Sequence, residues 1–384
     1  MRIPRPTGCM LTLALLVLAC APPASPPPSP PEASAAHGPA APGPATSGPA
    51  APSAAGPTSA PALDAPLSPP AVVQVGLVGA TSDAGLYIAQ EKGYFTQQGL
   101  TVEFSQFQSG EQMVPLLGSG QLDVGGGATS AALINAVARD IPIRIVADKG
   151  SLPPGFGYQA IVVRKDLVDS GAFQGCPSFK GMRVANTADS DGARPALERM
   201  LAECGLALSD IDLVIMGNPD MPAAFRNGAI EASRMLEPGL SRGLEEDLFA
   251  IYKRGDEIYP NQQIAVLLYS PNLIANHREV GQRFMVAYVQ GLRDHWDAFT
   301  RGINKAEIID ILTRTTAVKS PALFEQMVPP GLNPDGYINL TTFGADVNWW
   351  ADHGYVQTRI DPAQVVDHSF VDYAVGRLGK YAAR

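Results

Sequence analysis

The sequence predicts an α/β protein built as two similar lobes with a cleft between them and a helical C-terminal tail. Three observations carry this reading. Short apolar strand runs alternate with helical segments from residue 72 to about residue 270. The alternation restarts after a loop-rich stretch at 165–180, and an extended run at 158–164 stands between the two series. Strands alternating with helices over this length call for parallel sheets covered on both faces.

The elements follow in chain order. Met1-Arg2-Ile3-Pro4-Arg5 and the apolar run from Cys9 to Ala19 read as a secretion signal, too short to span a bilayer as a stable helix. Val17-Leu18-Ala19-Cys20 resembles a bacterial lipobox, so Cys20 is the expected lipidation site and residues 1–20 a lipoprotein signal peptide. Residues 21–70 are nearly all Ala, Pro, Ser and Gly. They lack the apolar side chains that offset chain entropy, and read as a disordered tether of polyproline II character. Beyond it, residues 71–163 and 267–384 are assigned to lobe 1 and 164–266 to lobe 2, with 158–164 and 263–269 as the segments crossing between them.

Lobe 1 opens with a βαβ unit. Val72 to Val78 is a strand; Gly85-Leu86-Tyr87-Ile88-Ala89-Gln90-Glu91-Lys92 is a helix. Gly93 and Gly99 stand where the chain needs a left-handed residue to leave each helical stub. Leu100, Val102 and Phe104 then alternate with polar residues as the returning strand. Further on, Gly118 to Val124 leads through Gly125-Gly126-Gly127, read as a turn, into a helix at 128–139. Asn227 to Ala232 leads through Glu237-Pro238-Gly239 into another in the same manner. This repetition is the sequence-level sign of two lobes of related construction.

Composition narrows the function. A net charge of −9 gives no support for nucleic-acid binding. Apart from Cys9 and Cys20, the cysteines are Cys176 and Cys204, an even pair in an exported chain. A disulfide between them is favoured over two buried thiols. The four later histidines are scattered without metal-ligand spacing, and neither a metal nor a cofactor is expected.

Leu86-Tyr87-Ile88-Ala89-Gln90-Glu91-Lys92-Gly93-Tyr94-Phe95, followed by Gly99-Leu100-Thr101-Val102, resembles the opening motif of the sulfonate/nitrate/taurine and thiamine-pyrimidine-precursor (NMT1/THI5-like) solute-binding proteins. Gly120-Gln121-Leu122-Asp123-Val124 and Glu237-Pro238 are similar to later signatures of that family. The resemblance implies a type II periplasmic binding protein fold, and an extracytoplasmic, membrane-anchored lipoprotein that delivers a small molecule to an ABC permease.

Ligands in open sheets bind beyond the carboxyl ends of strands, where helix N-termini supply unpaired N–H groups. The turns of that kind contain Thr81, Ser82, Asp83, Ser109, Gly110, Gly127, Ala128, Thr129, Ser130, Asp148 and Lys149 in the first lobe. Thr187, Asp189, Ser190, Asp220 and Glu237 belong to the second, and Tyr87, Tyr94, Phe156 and Tyr158 are candidates to stack on a ring. Each Ser, Thr or Asp, taken singly, is also accounted for as a helix cap. Seven carboxylates in or beside these turns face only Lys149 and Arg194. That balance favours a neutral or cationic polar organic ligand, pyrimidine-like, over a sulfonate. Asp83→Ala and Asp189→Ala are expected to weaken binding without harming the fold. The chain reads as a monomer that binds without turnover. The alternatives are a ligand-sensing receptor subunit and a pyrimidine-synthase-like enzyme on the same fold, which would depend on a cysteine-rich motif that this sequence lacks.

Overall fold

The computed structural model describes residues 65–382. The signal segment, Cys20 and the tether as far as residue 64 lie outside the described residues. The last stretch of the expected tether is attached to the first lobe. Leu67 N–H donates to the Gln98 carbonyl, Arg283 donates to the Ala65 carbonyl at 2.8 Å, and Leu67 packs against the core. One leucine in a proline-rich run supplies the apolar contact that its neighbours lack.

Among the described residues ten strands make two five-stranded sheets. In chain order they are β1 (Ala71–Leu77), β2 (Leu100–Gln106), β3 (Val124–Ala128), β4 (Arg144–Ser151), β5 (Gln159–Arg164), β6 (Arg183–Asn186), β7 (Asp212–Ile215), β8 (Ala232–Leu236), β9 (Phe249–Arg254) and β10 (Gln263–Tyr269). The sheet orders are β2-β1-β3-β10-β4 and β7-β6-β8-β5-β9. These are one topology built twice, with β6 to β9 repeating β1 to β4.

Two expectations are corrected here. The sheets are mixed: β10 runs antiparallel to β3 and β4, and β5 antiparallel to β8 and β9. The crossings also fall elsewhere. β5, expected to join the lobes, lies wholly in the second sheet, and all of β10 lies in the first, so the chain crosses at 152–158 and 255–262. Each sheet thus receives one antiparallel strand adjoining a crossing. The apolar run of a buried strand looks the same whichever way it points.

The triple glycine is a third correction. Gly125, Gly126 and Gly127 are residues of β3, not a turn. They are glycines because neighbours come too close for a side chain. A Cβ on Gly126 would lie 2.7 Å from Cε of Lys149, and one on Gly127 2.5 Å from Cα of Gly110. The following helix therefore begins later, at Ala131–Val137, capped by Ser130.

Helices cover both sheets. The longest, Arg278–Arg301, buries Phe284, Tyr288 and Leu292 against the first sheet beside the helix Ala84–Glu91. Gly93 and Gly99 both take positive φ, 72° and 73°. The tail helices Leu340–Asp352 and Ser369–Leu378 complete the two faces of lobe 1. In lobe 2, Cys176 and Cys204 form a disulfide across 28 residues. Among the described residues no helix is long and apolar enough to cross a membrane.

Candidate functional site

The two lobes meet where the turns after their first and third strands face each other. The Ala131 N–H donates to the Ser190 carbonyl at 3.1 Å, and the Gly192 N–H donates to the Thr129 carbonyl at 3.2 Å. Ser130 and Asp191 thereby form a short antiparallel bridge from lobe to lobe. Beside it Ser190 Oγ donates to Glu111 Oε1 at 3.1 Å. Burial pushes the Glu111 carboxyl up, and Ser190 pulls it partly back.

Two buried ion pairs lie on either side of this seam. In lobe 1, Lys149 Nζ is 2.5 Å from Asp83 Oδ1 and donates to Ser82 Oγ at 3.1 Å; Lys149 and Asp83 are fully buried. The lysine stem lies along the bare backbone of Gly126, which explains how so long a side chain enters the interior. In lobe 2, Arg234 on β8 forms the second pair, with Asp191 at 3.4 Å. Its guanidinium also donates to Gln159 Oε1 and Thr187 Oγ1, each at 2.9 Å. Asp191 is fixed in turn by Asn186 Nδ2, Thr187 Oγ and the Ala193 N–H. Charges buried this deeply persist only when paired. Asp191 is also hydrogen-bonded through both oxygens, whereas Asp83 accepts from the Ala80 N–H through Oδ2 and has only the Lys149 charge at Oδ1.

Tyr158 connects the two clusters. It is fully buried, and its hydroxyl oxygen faces Gly150 without a hydrogen-bond partner. Its ionisation is pushed well above the usual phenol range by burial first, then by Asp148, with Arg234 and Asp83 also acting on it. Thr81 Oγ1 is likewise buried and unpartnered. An unmet hydroxyl is costly in a dry interior, so these two groups are ready to bond a guest.

The expected site residues divide. Thr81, Ser82, Asp83, Lys149 and Tyr158 gather on the lobe 1 side, with Thr129 and Ser130 at the seam; Thr187 and Ser190 meet them from lobe 2. Gly110, Gly127 and Ala128 serve the packing, with Gly110 pressed against the β3 backbone. Ser109 is half-buried on the approach to that turn. Asp148 is an internal fastener: its carboxylate accepts from Gln263 Nε2 at 2.6 Å, Gly150 N–H at 3.0 Å and Asn333 N–H at 2.7 Å. Burial raises its carboxyl to about 6 against the pull of those bonds. Glu237 is engaged by the Ser241 N–H and hydroxyl and by the Val328 N–H of the tail; burial raises it too. Asp189 pairs with Arg194 but is 63% exposed, and Asp220 is exposed at the far edge beyond β7.

The stacking candidates other than Tyr158 are occupied elsewhere. Tyr87 packs on Phe104, Tyr94 donates to Asp294 Oδ2 at 2.6 Å, and Phe156 stacks on Trp296. Arg234 and Gln159 are not among the residues expected at the site, and Asp191 is counted there only as one of the carboxylates beside the turns. The signal was present as polar residues within or at the start of otherwise apolar strands, as with Arg234 inside β8 and Gln159 opening β5. Their presence also removes the apparent carboxylate excess. Asp83 and Asp191 each have a cation, Glu111 and Asp346 are met by neutral donors, Ser190 and Gln262, and Asp189 and Asp220 are exposed.

Around the seam, tail residues reach across to the lobe 2 helix Ala193–Ala202. Trp349 Nε1 donates to Glu198, His353 Nε2 is 3.1 Å from the same carboxylate, and Arg194 donates to the Tyr355 hydroxyl at 3.0 Å. Gln262 Nε2 donates to the Gly192 carbonyl at 2.6 Å and to Asp346 Oδ2 at 2.9 Å. Burial lifts the Asp346 carboxyl to about 7. Among the described residues no group of three or more His, Cys, Asp and Glu is placed to hold a metal ion.

Comparison with known proteins gives three findings. A family model described as NMT1/THI5 like matches residues 80–297. The 4-amino-5-hydroxymethyl-2-methylpyrimidine phosphate synthase of Aspergillus parasiticus is 28% identical over 154 residues, 40% of this chain and 42% of that protein, so the chain matches less than half of that relative's length. Among solved structures, the alkanesulfonate-binding protein SsuA from Xanthomonas axonopodis pv. citri, bound to MOPS, superposes with a TM-score of 0.62 at 20% identity, covering 78% of this chain and 98% of that one. The periplasmic nitrate-binding protein NrtA from Synechocystis PCC 6803 gives 0.63 at 15% identity, covering 82% and 90%. Both neighbours share the two-lobed periplasmic binding protein fold described above.

Proposed function

Because the chain belongs to the NMT1/THI5-like family, we propose that it is an extracytoplasmic solute-binding lipoprotein, anchored through Cys20, that closes on a small polar organic molecule and delivers it to an ABC permease. The observation that carries this reading is the seam itself. Backbone groups of Thr129 to Ala131 and Ser190 to Gly192 join two lobes of identical topology, with unpartnered hydroxyls at Tyr158 and Thr81 beside them. A guest seated there bonds both lobes at once, which is the differential affinity that hinge closure requires.

The ligand is neutral or cationic and pyrimidine-like in its polar edge. Asp83 and Asp191 already neutralise Lys149 and Arg234. A sulfonate would have to displace a buried carboxylate from its cation, whereas a neutral ring needs only the unpartnered hydroxyls. The ligand-binding set is Thr81, Ser82, Thr129, Ser130, Tyr158, Thr187 and Ser190, held in place by the two ion pairs.

A thermal-shift screen of the purified chain tests this. A ligand at 100 times its Kd adds about 2.7 kcal/mol to stability. Shifts from neutral or cationic heteroaromatic compounds are expected; shifts from alkylsulfonates alone would overturn the charge argument. A second reading, an enzyme, is favoured by the similarity to the pyrimidine phosphate synthase. Mass analysis after long incubation separates the two, because a binding protein returns its ligand unchanged.

A further inference from the structure

Beside the seam, a hollow of about 350 Å³ lies between the two crossings and the tail loop 331–339. Pro153 represents the first crossing, Asn261 the second, and Trp296 of the helix Arg278–Arg301 closes one side. The tail loop is fastened at both ends. The Ser151 N–H donates to the Gly331 carbonyl at 2.8 Å, and Asn339 Nδ2 and Thr342 Oγ1 donate to the Asn261 carbonyl. The hollow is therefore a formed feature of the hinge, of a volume in the range of small-molecule sites.

None of the residues lining it is charged. A charged guest would lose its hydration and find no counter-charge. Gln263 and Asn339 are engaged by the protein itself. The Asn261 side-chain amide, the Asn333 Nδ2 and the Trp296 Nε1 remain for a guest. The indole is held flat by stacking on Phe156, with centroids 5.2 Å apart and planes 14° from parallel. A rigid aromatic surface with carboxamides around it matches a flat ring whose edge carries amide-type donors and acceptors.

We propose that this hinge hollow is a second ligand site, separate from the interlobe seam, for an uncharged planar ring bearing a carboxamide-like edge. The occupant touches both crossings, so it contacts the segments that must flex when the lobes part.

Nicotinamide and nicotinate, which differ only in amide against carboxylate, are the probes. Each is titrated by calorimetry into the full chain, Trp296→Ala and Asn261→Gly. Saturable 1:1 binding of nicotinamide is expected, with nicotinate weaker by about tenfold or more. Trp296→Ala should weaken nicotinamide by about tenfold, and Asn261→Gly by about threefold. The glycine variant keeps its fold, because Asn261 has φ of 60° and an exposed side chain, so it decides the matter even if the tryptophan variant unfolds. Absence of saturable nicotinamide binding, equal binding of nicotinate, or binding untouched by Asn261→Gly and by any folded Trp296→Ala would overturn the site. Tyr158→Phe serves as the control for the seam. Loss of nicotinamide binding in that variant alone would place the ring between the lobes and also overturn the hinge site.

Discussion

Lys149 and Asp83 set the terms for every substitution near the seam. Each is fully buried, and among the described residues each is the other's only counter-ion at contact distance. Lys149→Met strands a buried carboxylate, and removal of one partner from such a pair costs about 3–5 kcal/mol. Urea unfolding should show that loss, and the double variant Lys149→Met/Asp83→Leu should recover a large part of it. The earlier expectation that Asp83→Ala leaves the fold intact is accordingly reversed, whereas exposed Asp189 retains that status. Asp346 makes a pH prediction. Its carboxyl is raised from 3.8 unfolded to about 7 folded, so the native state binds the extra proton in that interval. Stability should therefore fall as pH rises from about 4 to 7, with a limiting slope of about 1.4 kcal/mol per pH unit for this one group. Thermal melts of Asp346→Asn should lack that part of the slope. An identical pH profile in the two proteins would show that Asp346 does not titrate in this range.

Elements explain why β3 and its surroundings tolerate so little change. Three glycines in a central strand weaken it through chain entropy, yet they admit Lys149 on one side and Gly110 on the other. Gly127→Ala places a methyl 2.5 Å from the Gly110 backbone, which cannot rotate away. The expected destabilisation is about 1–3 kcal/mol, read as a lowered urea midpoint. A midpoint within error of the parent would mean that the turn at Gly110 is free to retreat. The βαβ opening was legible because its signals are local: alternation in β2, helical spacing before it, and glycines with positive φ at 93 and 99. The glycine run was misread for the converse reason. Gly-Gly-Gly is a turn by local rules, and only the residues packed against it reveal a strand.

At the scale of the whole molecule, the tail is a clasp. Trp349, His353 and Tyr355 belong to the lobe 1 side, where Phe343, Val347 and Trp350 enter the core. They hold lobe 2 through the Glu198 carboxylate, shared by an indole and an imidazole, and through Arg194, which donates to the Tyr355 hydroxyl. These contacts lie outside the seam, so they shift the balance between open and closed lobes without touching the ligand. Glu198→Ala should favour the open form. The apparent ligand affinity should fall by about fivefold, with an increased radius of gyration in the unliganded protein by small-angle scattering. An unchanged radius and affinity would show that the clasp contributes nothing to closure.

By itself the sequence determined the order of strands and helices, the repetition of one lobe by the other, and the family motif at 86–102. It also singled out Cys176 and Cys204 as the pair to be joined. All of these rest on spacing between residues close in the chain, or on a choice with few alternatives. Only the tertiary structure decided the direction of β5 and β10, the true crossings and the partners of the buried charges. Arg234 meets Asp191 across 43 residues and Tyr158 lies between clusters from both lobes. Such meetings depend on how sheets stack and lobes close, and no local periodicity encodes that arrangement.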